Sequence, residues 1–401
     1  MTGKEKKQTI FLSAAEPSAD RHCAALIRAL KQVKRDLEFA GIGGPKMAEA
    51  GCTLIENTVG RAAMTYNAFA HVLHYYRLIK QIESHFVINK PSLVIVCDSP
   101  AFNFHVAKAA KKSGIKTMFY VAPQLWAWAP WRIRKLRKCC DKLCCLLPFE
   151  QDWFASRGVP AEFVGNPLLD ELTQTDLSRA RRDYRNFNPS GVKIAIVPGS
   201  RTAEVGTLWR PMQQIAIALR RKYPNASFTT VAVDEATRNA LDSTRLMGFR
   251  TNYAIDAVYQ TARNSDFALV ASGSATLQVA SAGCPMVIMY QTSPFLWHIV
   301  GKWLVTTKYL SLVNILWHGL PARGNTAKPV PSKVEGMAGP LVPEYMPYFR
   351  STEPIIETVV KLLEDKSHLA QISSELLALV SPLTVKKAGP TVAKIAASML
   401  A

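Results

Sequence analysis

Short apolar runs that end in a turn and pass into an amphipathic helix recur along this chain, and they restrict its fold more than any other feature. Leu93–Cys97 (LVIVC) is one such run and Phe267–Ala271 (FALVA) is another. Runs of this length without polar alternation suit strands covered on both faces, as in a parallel sheet. Candidate strands lie at Thr9–Ser13, Glu38–Gly41, Leu93–Asp98, Thr117–Ala122, Lys142–Leu147 and Ala161–Val164. Helical stretches fall between them: Glu16–Val33 places Leu26, Ile27 and Leu30 on one face, and Phe69–Phe86 repeats the spacing. Thr173–Gly191 is polar, charged and ends in Asn-Pro-Ser-Gly, a boundary signal. Beyond it the pattern restarts, with strands at Lys193–Val197, Ser227–Val231, Phe267–Ala271 and Met286–Tyr290. The alternation predicts an α/β protein with two doubly wound units in succession, which 401 residues are enough to build. The expected ligand site is the cleft between such units.

With 48% hydrophobic and 20% charged residues, the chain is globular rather than disordered. Its net charge of +19 calls for an anionic partner: nucleic acid, a phosphorylated substrate or an acidic membrane surface. The start reads as a first strand and not as a secretory leader. The apolar stretch Pro294–Trp317 is interrupted by His298, Lys302 and Lys308; it is not expected to cross a bilayer but could lie in one. Trp317–Leu341, rich in Gly, Pro and Lys, reads as a long loop. Of eight cysteines, four form CCDKLCC at Cys139–Cys145; adjacent pairs do not have metal-site spacing, so reduced, buried thiols in a cytoplasmic protein are expected.

Four stretches carry candidate chemistry. Asp98 ends a buried strand two residues before Pro100, at the sheet edge where open α/β sheets bind ligands. On position alone it is either a cap for the helix starting near Phe102 or a catalytic carboxylate. Ile194–Val205 (IAIVPGSRTAEV) is strand, tight turn and helix start, where Gly199, Arg201 and the helix N-terminus form either an anion site or an ordinary turn. The second half repeats this at Ser272-Gly273-Ser274, with Gln278 one helical turn on, within reach of a ribose. Ala122–Lys138 mixes three tryptophans with basic residues. Trp126 and Trp128 are expected at the cleft mouth, while Arg134, Arg137 and Lys138 form either a site for anionic lipid or phosphate or a solvated face.

Together these stretches resemble the lipid-A-disaccharide synthases, glycosyltransferases of the two-Rossmann GT-B type. The resemblance runs in order through AAEPSAD, GIGGPKM, CDSPAFN, APQLWAWAP, LPFE, VGNPLLD, PGSRTAEV, ASGSATLQ, VNIL and LVPE. It implies an acceptor and lipid-binding domain at 1–185, a UDP-sugar domain at 186–370, and helices at 371–401 that cross back onto the first domain. It implies metal-free, inverting transfer of 2,3-diacylglucosamine from its UDP form to the 6-hydroxyl of 2,3-diacylglucosamine 1-phosphate, with no cofactor. Asp98 becomes the general base. Arg201 and Ser272–Ser274 would hold the diphosphate, and Asn314 and Glu344 would line the uridine or sugar pocket. Ser18, Asp20, Asn103, Trp126, Glu204 and Gln278 complete the expected substrate-binding set. Acylated substrates imply a peripheral protein on the cytoplasmic face of the inner membrane, a possible homodimer that binds no nucleic acid.

The chain departs from the family pattern in places. Ala15 and Ala19 stand for glycines, Ala101 for an acid, Ala122 for a serine, Asn166 for a histidine and Gln278 for a glutamate, while Tyr345-Met346-Pro347 replaces a stretch with glutamine. Two hypotheses follow: an active synthase with altered details, or a non-catalytic relative that binds a nucleotide-sugar or lipid. Retention of Asp98 and Arg201 favours the enzyme.

Overall fold

A computed structural model describes residues 8–59, 68–293, 297–298, 307–319 and 339–400. Residues 294–296 and 299–306 of the apolar stretch and 320–338 of the loop lie outside the described residues. The chain forms two compact units, one comprising Met1–Asp170 with Lys386–Ala401 and the other Glu171–Val385.

The first unit holds a seven-stranded parallel sheet in the order β3-β2-β1-β4-β5-β6-β7. Its strands are β1 (Gln8–Ala14), β2 (Leu37–Gly43), β3 (Thr53–Asn57), β4 (Leu93–Cys97), β5 (Lys116–Tyr120), β6 (Lys142–Cys145) and β7 (Ala161–Phe163). Every residue of β4 is fully buried, which explains its unbroken apolar sequence. Helices Pro17–Val33, Ala68–Asn89 and Pro100–Lys112 connect strands β1 to β5. The order reverses between β1 and β4: one connection leaves toward β2 and the other toward β5. Such a switch point opens a crevice at the C-terminal ends of the strands.

The second unit repeats the design with six strands in the order β10-β9-β8-β11-β12-β13. These are β8 (Lys193–Val197), β9 (Ser227–Ala232), β10 (Asn252–Ile255), β11 (Phe267–Ala271), β12 (Met286–Met289) and β13 (Glu344–Tyr345). The switch point lies between β8 and β11, which pair in parallel.

The expected boundaries at 185/186 and 370/371 both fall inside the second unit. Arg182 there donates to the carbonyls of Ala262, Ser265 and Gly283, and Tyr184 donates to that of Asp266 at 2.8 Å. Helix Lys366–Val380 also belongs to that unit. What joins the first unit is the helix Ala388–Met399, whose Ala388, Val392, Ala393 and Ala396 pack into one cluster with Leu26, Ile27 and Leu30 of helix 17–33. Asp170 caps this returning helix: its Oδ1 accepts from the N–H of Ala388 at 2.7 Å and its Oδ2 from that of Gly389 at 3.0 Å.

Candidate functional site

Each unit brings chemistry-bearing residues to its own switch point. In the first, β4 runs out at Cys97, and the next two residues turn left-handed, Asp98 at φ 53° and Ser99 at φ 42°. Side chains strain such a backbone by roughly 1–2 kcal/mol per residue. The Asp98 N–H donates to the carbonyl of Tyr120 at 3.2 Å. Ser99, not Asp98, occupies the N-cap position of helix 100–112. Asp98 is therefore a half-buried carboxylate at the sheet's edge, one residue ahead of the cap.

Several residues expected at the substrate make hydrogen bonds within the scaffold. Asn103 is fully buried. Its Oδ1 accepts from Ser13 Oγ at 2.6 Å, and its Nδ2 donates to the carbonyls of Cys97 at 3.0 Å and Asp98 at 2.7 Å. Asp20 is also buried and accepts from the N–H groups of Gly44 at 2.9 Å, Met47 at 3.0 Å and Lys46 at 3.1 Å. The GIGGPKM loop has the look of a phosphate cradle, but the Asp20 carboxylate already fills it. A Cβ at Gly44 would come within 2.5 Å of Asp20 Oδ2, so the glycine makes room for the acid. Trp126 is 4% exposed and donates its indole N–H to Glu150 Oε1 at 2.9 Å, so it walls the fold and does not face solvent. Ser18 stays half-buried in the first turn of helix 17–33, beside β4's end in sheet order.

Sequence reasoning passed over Glu16. It precedes helix 17–33, and its Oε1 accepts from Ser99 Oγ at 3.0 Å. The motif AAEPSAD contained it, but only three-dimensional pairing of β1 with β4 brings it to Ser99. Tyr75 lies close by; burial first, and then the Glu16 charge, raise its hydroxyl above the ordinary range. In helix 17–33, burial pushes the His22 imidazole down to about 4, with Arg21 adding to the shift, so it stays neutral near pH 7.

In the second unit the loops after β8 and β11 flank the switch point. Gly199 adopts φ 108°, and a Cβ there would meet Glu204 Oε2 at 2.8 Å. Glu204 Oε1 takes Arg201 Nη1 at 3.0 Å, leaving the arginine largely exposed on a short surface pair. Across the switch point, Gly273 and Ser274 are exposed and Ser272 half-buried at the start of helix Ala275–Ser281, which carries half-buried Gln278. Asn314, by contrast, is fully buried. It donates to Val342 O and Glu344 Oε2, each at 2.9 Å, and Glu344 also accepts from Ser311 Oγ at 2.6 Å and the N–H of Leu310 at 3.0 Å. The pair ties helix Leu312–His318 to β13.

The departures sit mainly in packing. Ala15, Ala19 and Ala122 are buried, and Pro17 occupies the first turn of its helix, where it costs no hydrogen bond. Asn166 caps the short turn Pro167–Leu169, accepting from Leu168 N at 3.1 Å. All eight cysteines are free and buried. Burial raises the thiols, Cys139 to about 11 and Cys144 to about 12. Among the described residues no three His, Cys, Asp or Glu side chains are grouped to hold a metal ion, and no helix is long and apolar enough to cross a membrane.

The family model for lipid-A-disaccharide synthetase matches residues 10–320. A lipid-A-disaccharide synthase of Psychromonas ingrahamii is 35% identical over 323 residues, 78% of this chain and 82% of its own. Among solved structures, the calicheamicin glycosyltransferase CalG4 aligns with a TM-score of 0.57 at 14% identity, over 98% of this chain and 99% of its own. The UDP-GlcNAc 2-epimerase of Methanocaldococcus jannaschii, solved with UDP-GlcNAc and UDP, aligns at 0.56 and 14% identity, over 98% of this chain and 100% of its own. At that identity the likeness is one of fold, the α/β GT-B class. The family match spans most of the sequence and includes Asp98, Arg201, the Ser272–Ser274 turn and Asn314; the chain belongs to the lipid-A-disaccharide synthetase family.

Proposed function

We propose that this chain joins two acylated glucosamines, with Asp98 as the general base and the second unit's two loops as the holder of the UDP diphosphate. As a member of its family the protein is a glycosyltransferase of lipid A disaccharide formation, acting on a nucleotide-sugar. The donor is UDP-2,3-diacylglucosamine and the acceptor 2,3-diacylglucosamine 1-phosphate. The acceptor's 6-hydroxyl oxygen bonds to the donor's anomeric carbon from the face opposite UDP. Its proton passes to the Asp98 carboxylate, and the bond to the β-phosphate oxygen breaks. UDP leaves with that electron pair, and the new linkage is β. Arg201 and the hydroxyls and N–H groups at Ser272–Ser274 offset the negative charge that grows on the diphosphate.

The observation that carries this reading is the carboxylate in a left-handed turn at the end of β4, half-buried and displaced from any capping position. Strain of this kind is concentrated where side chains must be aimed. Asp98→Asn is the informative variant, because asparagine tolerates the left-handed region and keeps the shape. With both lipids in detergent, UDP release should fall by ~10²–10⁴-fold, the usual share of a general base, while UDP binding persists. Release at the normal rate would remove Asp98 from the mechanism.

The substrates carry acyl chains, so the protein works at a lipid surface. Trp131 (59% exposed) and Trp128 (39%) stand beside exposed Arg134, Lys135, Arg137 and Lys138, with Arg132 lying 5.1 Å over the Trp128 ring. Aromatic and basic side chains in this mixture suit the headgroup region of an anionic leaflet.

A further inference from the structure

We propose that Glu16 is a positioning residue for the general base: through Ser99 it holds the left-handed turn that presents Asp98. The inference rests on the role given to Asp98 above.

Two consecutive side-chain-bearing residues in the left-handed region persist only if their surroundings hold them there. One restraint comes from within the unit. Asn103, steadied by Ser13, grips the carbonyls of Cys97 and Asp98. Those bonds fix the turn's entrance and leave its exit to Ser99, at φ 42° and ψ 59°. A serine at this N-cap position would ordinarily accept a hydrogen bond from the first turn of its helix, worth roughly 1 kcal/mol. Helix 100–112 has no side-chain cap bond. The hydroxyl donates to Glu16 Oε1 at 3.0 Å, across 83 residues of sequence. A cap has been given up for a link between the two strands of the switch point.

Glu16 is a firm anchor for such a link. Its backbone is extended at φ −132°, Pro17 follows it in the first helical turn, and its carbonyl accepts from the N–H of Asp20 at 3.0 Å. Asp20 is itself bound to three N–H groups of the β2 loop. The charge of the same carboxylate acts on Tyr75, which packs against Phe102 with ring centroids 5.0 Å apart. The turn is thus held by β1's loop at one end and by the sheet at the other, and its direction sets that of Asp98.

The test compares kcat, KM and UDP affinity for Glu16→Ala, Glu16→Gln, Ser99→Ala and the double alanine variant. Glu16→Ala should lower kcat by ~10–100-fold, the scale of a small misplacement of a reacting group, with UDP affinity and donor KM unchanged. Glu16→Gln should stay within ~3-fold of the parent, because its amide oxygen still accepts from the Ser99 hydroxyl and loses only the charge assistance. Ser99→Ala should match Glu16→Ala, and the double variant should be no worse than either, since one link is lost in each case. Added to Asp98→Asn, Glu16→Ala should change nothing more. Multiplying losses, or a glutamine variant as poor as alanine, would overturn the proposal. So would a fully active Glu16→Ala beside an inactive Asp98→Asn, with the base assignment left standing. An active Asp98→Asn would bring down the base assignment itself.

Discussion

Glu150 illustrates how much a single side chain can depend on its surroundings. It is wholly buried, taking the Trp126 indole on one oxygen and the N–H groups of Leu146 and Leu147, each at 3.0 Å, on the other. Desolvation outweighs these three donors and lifts the carboxyl from 4.5 to about 7. Folding therefore favours the protonated acid. The stability it contributes is whole below the unfolded value and is lost as pH rises through about 7. The span corresponds to on the order of 3 kcal/mol. Urea midpoints of the parent should fall between pH 5 and 8, and Glu150→Gln should flatten that decline; an equally steep decline in the variant would show that other groups set it. Sequence singled out Asp98 by its place after a buried strand but left capping and catalysis both open, and the structure puts Ser99 at the cap position. Sequence did not show the scaffold bonds of Asn103, Asp20, Asn314 and Glu344, which read as ligand groups. A motif shows that a polar residue is needed, but not whether its partner is a substrate or a backbone atom. Asp20 meets the N–H of Gly44 24 positions away, and no spacing rule exposes that.

At the level of elements, all ten strands expected from sequence are present, with ends displaced by a residue or two. They were readable because parallel strands buried on both faces leave apolar runs. The expected ends at Asp98 and Ala122 are trimmed to Cys97 and Tyr120, since Asp98 and Val121 turn to positive φ. Sequence missed β3, β10 and β13. All three are edge strands, and β13 has only two residues. With one flank open, such strands carry polar residues and lose the apolar signature. The return of helix 388–399 was implied by family resemblance alone; its own sequence is mostly small residues, which show neither a partner nor a destination. Asp170 gives that helix a measurable attachment. Two charge-assisted bonds at a helix N-terminus are worth about 1–2 kcal/mol, so Asp170→Ala should destabilise the first unit by that amount in urea. No change would mean that packing alone holds the helix.

The whole molecule carries a net charge of +19, and its local expression is the aromatic and basic surface around helix Ile133–Cys139. Each basic residue near an anionic leaflet contributes ~1 kcal/mol. Replacing Arg134, Lys135 and Lys138 by glutamine should therefore cut cosedimentation with phosphatidylglycerol vesicles by ~100-fold, with turnover in detergent retained. Undiminished cosedimentation would place the lipid-facing surface elsewhere. The division of the chain has a different kind of consequence, one of timing. Helix 388–399 completes the core around Leu26, Ile27 and Leu30, yet a ribosome makes it only after the entire second unit. Synthesis usually lets domains fold in the order they emerge. Here the second unit can close while the first is still without its last helix, its apolar groove open to water. The nascent chain thus carries an exposed sticky face for as long as the intervening 215 or so residues take to translate, at ~5–20 residues per second on the order of 10–40 seconds, a window in which a chaperone would have its best grip.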